Sequence, residues 1–136
     1  MFEAQVRQAF RRLLVEHGFV VDSVLAGQRP EDGVVVLSCA TCQLRVVAHE
    51  GEVRLEWGKG GAWMDAFGLH HYLHHQLGRA GPVSVSVPGD ELASQAATVE
   101  RLVAEVVAFF AEPGYAERAA ALARYTEARR AAQRRR

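Results

Sequence analysis

The sequence contains little of several residue types, and each shortage argues against a class of protein. Only two of its 136 residues are cysteine, Cys39 and Cys42, which is too few for the disulfide framework of a small secreted domain. No run approaches the roughly 18 apolar residues of a membrane-spanning helix, and residues 1–14 are charged and amphipathic, unlike a signal peptide. We therefore expect a cytoplasmic protein that does not enter a membrane and that keeps its cysteines reduced.

The chain also lacks net charge and has a single lysine, Lys59. Balanced charge gives no overall attraction to nucleic acid or to an anionic membrane. No Ser-His-Asp or Cys-His motif of a nucleophilic enzyme is recognisable, and the loop Gly58-Lys59-Gly60-Gly61 lacks the residue order of a phosphate-binding loop. The sequence therefore favours a protein that is not an enzyme and that needs no cofactor.

What the sequence does contain is a run of strand patterns followed by a run of helix patterns. Residues 2–17 have apolar side chains at helical spacing, and Gly18 is a suitable stop. Strands are predicted at residues 19–27, 34–38, 43–49 and 52–57, and helices at 63–77, 90–111 and 115–136. Short turns between the strands predict an antiparallel four-stranded meander. The prediction is one α+β domain, residues 1–136, with one helix before the meander and about three helices packed on one face after it.

Two connections are less regular than the rest. Residues 58–62 are rich in glycine and predict a flexible connection. Residues 83–87 alternate valine and serine between two prolines, which indicates a short edge strand whose attachment to the sheet is left open.

Four of the six histidines lie in the predicted helix at residues 63–77. A helical wheel started at Trp63 places His70 and His74 within the apolar face, and His71 and His75 on its flank toward water. The other members of the apolar face are Trp63, Ala66, Phe67, Leu73 and Leu77. We expect this face to be buried on the sheet, with the inward histidines hydrogen-bonded to backbone groups.

A zinc site is the alternative use of these histidines. The candidate ligands are Cys39, Cys42, His70, His71, His74 and His75. Two thiolates at Cys-x-x-Cys spacing and one histidine pair at i, i+4 would complete a tetrahedral site. The order resembles the two-Cys two-His zinc finger, but 27 residues separate Cys42 from His70, against about a dozen in a finger. A small structural-zinc domain is therefore the second hypothesis.

Charged side chains suggest two further surfaces. Residues 115–136 carry seven arginines and two glutamates, a local charge of +5, on a helix whose end we expect to fray. This tail is a candidate contact for nucleic acid through Arg129, Arg130, Arg134, Arg135 and Arg136. An acidic patch that could meet a basic protein partner consists of Glu31, Asp32, Glu50, Glu52 and Glu56.

The layout resembles small bacterial α+β proteins of the toxin-immunity type. The resemblance rests on apolar and turn positions over most of the chain: His17-Gly18-Phe19-Val20-Val21, Val34 to Leu37, Leu44-Arg45-Val46-Val47, Gly51-Glu52-Val53, Trp63 with Leu69 and Leu73, and Phe109-Phe110 before Pro113-Gly114-Tyr115. It implies a non-catalytic protein that binds and blocks a partner through a charged or aromatic face, and it carries over no site residues. The partner would be another protein.

Overall fold

The computed structural model describes residues 2–135 and shows an α+β fold. Within that range the chain forms a five-stranded antiparallel sheet and five helices. In chain order the elements are α1 (Phe2–Ala9), α2 (Arg11–Glu16), β1 (Val20–Ala26), β2 (Gly33–Ser38), β3 (Gln43–His49), β4 (Glu52–Lys59), β5 (Ala62–Asp65), α3 (Ala66–Gln76), α4 (Glu91–Phe110) and α5 (Tyr115–Arg134). The strands form a meander in the order β1-β2-β3-β4-β5. The predicted class and meander are confirmed, with one strand more than expected.

The additional strand comes from the glycine-rich connection at residues 58–62, which is a hairpin turn. Gly60 and Gly61 have φ angles of 60° and 83°. Two consecutive positive φ angles are what a two-residue type I′ turn requires, and its twist matches that of the flanking strands. Lys59 therefore pairs with Ala62, and Trp57 with Met64. The prediction of a flexible connection was wrong because a glycine pair between two short strands specifies a turn.

Helix α3 consequently begins later than predicted. Asp65 caps it, because its Oδ2 accepts a hydrogen bond from the Gly68 N–H at 3.1 Å. Trp63 belongs to β5, so counting it as part of the helix moved the centre of the predicted apolar face toward Phe67. Phe67 and Leu77, placed in the core by the wheel, are 53% and 45% exposed. The inward placement of His70 and His74 is confirmed, with 3% and 7% exposure.

The first predicted helix is divided at Phe10. This residue has φ −100° and ψ 23°, outside helical values, and it separates α1 from α2. Hydrogen bonds from the Phe10 N–H to Val6 O and from the Leu14 N–H to Phe10 O still bridge the break. Gly18, with φ 71°, ends the segment as predicted.

Residues 83–87 do not join the sheet. The Val85 N–H donates to Thr98 Oγ1 at 2.8 Å, and the Val87 N–H donates to Ser94 Oγ at 2.7 Å. Hydroxyl groups of α4 therefore occupy backbone donors that a neighbouring strand would have used. The segment lies along α4, which begins after the N-cap Asp90 as predicted.

The two faces of the sheet differ in what covers them. One face, the inner face, packs against α1, α3 and α4 and buries the alternating side chains Val35, Leu37, Leu44, Val46, Leu55 and Trp57. The residues that alternate with these on β2, β3 and β4 form the outer face, and within residues 2–135 the only buried one among them is Gly58, which lies against Trp63. Helix α5 packs on α3 and α4 through a half-buried stripe, Tyr115, Ala119, Leu122 and Tyr125, which is the predicted one.

Candidate functional site

The two cysteines form a close pair at the turn between β2 and β3. The Cys39 N–H donates to Cys42 O at 3.0 Å, and the two Sγ atoms are 3.8 Å apart. Two thiolates bound to one tetrahedral zinc ion at about 2.3 Å would lie about 3.8 Å apart. The cysteine half of the zinc hypothesis therefore has suitable geometry.

The histidines are engaged away from this turn. His70 Nε2 accepts a hydrogen bond from Trp57 Nε1 at 2.9 Å, His71 Nδ1 lies 2.7 Å from Tyr125 Oη, and His74 Nε2 donates to Gly81 O at 3.1 Å. Across residues 2–135, no three His, Cys, Asp or Glu side chains are grouped so that they could hold a metal ion. The structure does not bring the predicted cysteines and histidines together, and zinc binding stays a prediction.

The two thiols differ in their surroundings, which predicts unequal reactivity. Cys42 is buried, and burial together with the adjacent Cys39 raises the pKa of its thiol well above the usual range. Cys39 is only half-buried. Because the thiolate is the reactive form, we expect iodoacetamide to modify Cys39 at least about ten-fold faster than Cys42, as measured by mass spectrometry of peptides from the native protein. Cys42 should also be labelled slowly in the variant Cys39→Ser. Equal labelling rates at the two thiols of the native protein would contradict the prediction.

The predicted acidic patch is divided between two places. Glu31, Asp32, Glu50 and Glu52 lie at one end of the sheet, in the β1–β2 loop and the β3–β4 turn. Asp32 is 8% exposed, and its Oδ1 accepts from the Glu50 N–H at 3.2 Å, so this carboxylate holds two turns together. Glu56 lies away from them, on the outer face.

The predicted basic surface lies on α5. Arg130 and Arg135 are exposed, Arg134 pairs with Glu127 at 2.9 Å, and Arg136 lies outside the described residues. Arg129 lies with its guanidinium carbon 5.8 Å from the centre of the Tyr125 ring. Contact with nucleic acid and fraying of this helix both stay predictions.

Lys59 is used within the fold. Its Nζ donates to Phe110 O at 2.6 Å and to Glu112 Oε2 at 3.1 Å, at the end of α4. The hydrogen bond from Lys59 lowers the pKa of the Glu112 carboxyl below its usual range. Lys59 therefore joins β4 to α4, an arrangement that satisfies its charge without a bound phosphate.

A cluster on the outer face was missed by sequence reasoning. Arg45 and Glu56 face each other across β3 and β4, with Arg45 Nε donating to Glu56 Oε1 at 3.0 Å. The Arg45 guanidinium carbon lies 4.2 Å from the centre of the Trp63 ring. Trp63 lies against Gly58, where an added Cβ would be 2.5 Å from Trp63 Cε3. The signal was Gly58 opposite Trp63 in a hairpin, which the helical assignment of Trp63 hid.

No protein-family model, curated protein or solved structure matches this chain. The resemblance to immunity proteins therefore stays a prediction. Among residues 2–135, no helix combines the length and the apolar content needed to cross a membrane.

Proposed function

We propose that this chain is a non-catalytic protein-binding domain of the immunity or inhibitor type, and that the outer face of the sheet contacts the partner. The observation that carries the proposal is the stacked cluster of Arg45, Glu56 and Trp63 on the sheet face opposite the one that packs against α1, α3 and α4. Trp and Arg are the residue types that most often dominate the energy of protein interfaces.

The cluster is held in place before any partner arrives. The Glu56 carboxylate fixes Arg45, Arg45 lies over the Trp63 ring, and Gly58 leaves space for that ring against β4. A side chain that is already ordered loses less conformational entropy on binding, which improves affinity. The rest of the face offers apolar contact through Leu25, Val34, Val36 and Val47, which are half-buried or exposed.

The experiment compares two truncations of surface side chains in binding to a protein captured from the native host. We expect Trp63→Ala to weaken the complex by about 2 kcal/mol, or roughly 30-fold, because it removes the centre of the cluster. Leu77→Ala is the matched control, since Leu77 is exposed at the end of α3 and away from the outer face. Isothermal titration calorimetry with the captured protein measures both variants.

Two outcomes would contradict the proposal. One is a stoichiometric protein complex whose affinity is the same for Trp63→Ala and the wild-type chain. The other is the absence of any protein partner while nucleic acid co-purifies in a salt-sensitive manner, which would favour the arginine-rich α5 instead.

A further inference from the structure

A groove of about 410 Å³ opens at the edge of β4, and Arg45, Glu56 and Trp63 take no part in its lining. Residues 53–55 of β4 form one side, and residues 84–86 form the other. The start of α3 and the first turns of α4 complete the lining, with His70 and Thr98 among the contributors. The groove is therefore bordered by one extended strand and by the irregular segment that precedes α4.

The β4 side of the groove is an unpaired sheet edge. Strand β5 pairs only with residues 56–59, so within the described chain no strand lies beside residues 52–55 on that side. The Val53 carbonyl is directed to this side, because it accepts a hydrogen bond from Gln95 Nε2 of α4 at 2.7 Å. A side-chain amide thus already occupies one position where a backbone N–H of an added strand would bind.

His70 presents a fixed hydrogen-bond donor to the groove. The Trp57 Nε1–H can only donate, so His70 Nε2 accepts and the proton of the neutral ring is on Nδ1. Burial lowers the pKa of His70 to about 4, which keeps the ring neutral near pH 7. His70 Nδ1 has no hydrogen-bond partner among residues 2–135. Every fully buried side-chain nitrogen or oxygen in this range does have such a partner, so Nδ1 is not fully buried. Nδ1–H therefore reaches accessible space, and the groove is the space that His70 lines.

The charges at the groove indicate the chemistry of an occupant. Asp65 and Glu91 contribute two carboxylates and Arg54 one guanidinium, so acidic groups exceed basic ones. One oxygen of Asp65 accepts a hydrogen bond from the Gly68 N–H, and one oxygen of Glu91 accepts from Gln95 Nε2. The second oxygen of each carboxylate remains available to an occupant. Ser84 and Ser86 add exposed hydroxyl groups. An uncharged backbone with a basic side chain matches this lining better than an anion does.

We propose that the groove binds an extended peptide segment that adds to the free edge of β4, with a backbone carbonyl accepting from His70 Nδ1–H and a basic side chain near Asp65 and Glu91. Strand residues rise about 3.3 Å each, so the edge at residues 53–55 holds a segment of about three residues. The lining includes Arg54 of the outer face but none of Arg45, Glu56 and Trp63. Trp63→Ala therefore leaves it unchanged, and the two proposals can fail separately.

The experiment titrates ¹⁵N-labelled protein with two synthetic peptides, acetyl-Val-Lys-Val-amide and acetyl-Val-Glu-Val-amide. We expect the lysine peptide to shift the resonances of His70 Nδ1–H and of the amides at residues 53–55 in a saturable way, with a Kd on the order of 1 mM. The glutamate peptide should bind at least about five-fold more weakly. The double variant Asp65→Asn, Glu91→Gln keeps both internal hydrogen bonds and should remove most of this preference.

A blocking variant provides the steric test. Ser86→Trp should fill the groove and abolish the shifts, whereas Ser23→Trp, an exposed position on the opposite edge strand, should leave them intact. The proposal is overturned if neither peptide gives saturable shifts at His70 and residues 53–55, if the shifts map elsewhere, or if Ser86→Trp binds as the wild type does. Equal affinity for the two peptides would overturn the assignment of a basic side chain. If a variant does not fold, the titration of the wild-type protein alone tests whether the groove binds the peptide.

Discussion

Replacing Trp57 with alanine is expected to lower the free energy of unfolding by about 4 kcal/mol. Trp57 is fully buried, and its ring meets the edges of Phe19 and His70 at centroid distances of 6.3 Å and 6.2 Å. Truncation would leave a cavity between the sheet and α3 and would remove the donor that His70 Nε2 accepts from. Urea denaturation followed by circular dichroism measures the change.

A second substitution separates the packing from the hydrogen bond. Trp57→Phe keeps an aromatic ring and removes the indole N–H, so we expect a loss of about 1–3 kcal/mol from the unpaired His70 nitrogen together with reduced packing. Trp63→Phe is the matched control, because Trp63 is half-buried on the outer face, and it should cost less than about 1 kcal/mol. If Trp57→Ala costs no more than Trp63→Ala, then Trp57 does not organise the core in the way described.

The strands could be predicted because their burial alternates. Leu44, Val46 and Ala48 are buried while their neighbours on β3 are not, which is the period-two pattern visible in the sequence. Strand β5 escaped prediction because it has only four residues, and its aromatic side chain, Trp63, fitted a helical pattern equally well. The hydrophobic pattern of a sequence therefore predicts which face a residue occupies more reliably than it predicts where a helix or strand begins.

The partners of the histidines could not be predicted from the sequence. Helical periodicity shows that His70 and His74 point inward, and the structure confirms it, but periodicity says nothing about the groups they meet. His70 meets Trp57 on β4, and His71 meets Tyr125 on α5, which is 54 residues away. Those contacts depend on the position and orientation of α3 relative to the sheet. The same position determines the distance from the histidines to the Cys39–Cys42 turn.

Acidification below about pH 6.5 is expected to destabilise the protein because of His70. Burial lowers the pKa of His70 in the folded protein from 6.5 to about 4. Between these values the unfolded chain binds a proton that the folded chain does not bind, so stability falls as the pH falls through this window. Linkage gives a loss of about 2 kcal/mol between about pH 7.5 and about pH 5, and little further loss from His70 below its folded pKa. Urea unfolding across this range measures it.

The variant His70→Gln tests whether His70 causes the loss of stability at low pH. Glutamine offers an oxygen that can accept from Trp57 Nε1–H and has no titrating group, so stability at low pH should fall much less than in the wild type. Some dependence should persist, because burial and the nearby charge of Arg129 also lower the pKa of His71, with the same sign of effect. His17→Gln, an exposed position at the end of α2, is the control and should keep the wild-type slope. An unchanged slope in His70→Gln would place the titrating group elsewhere.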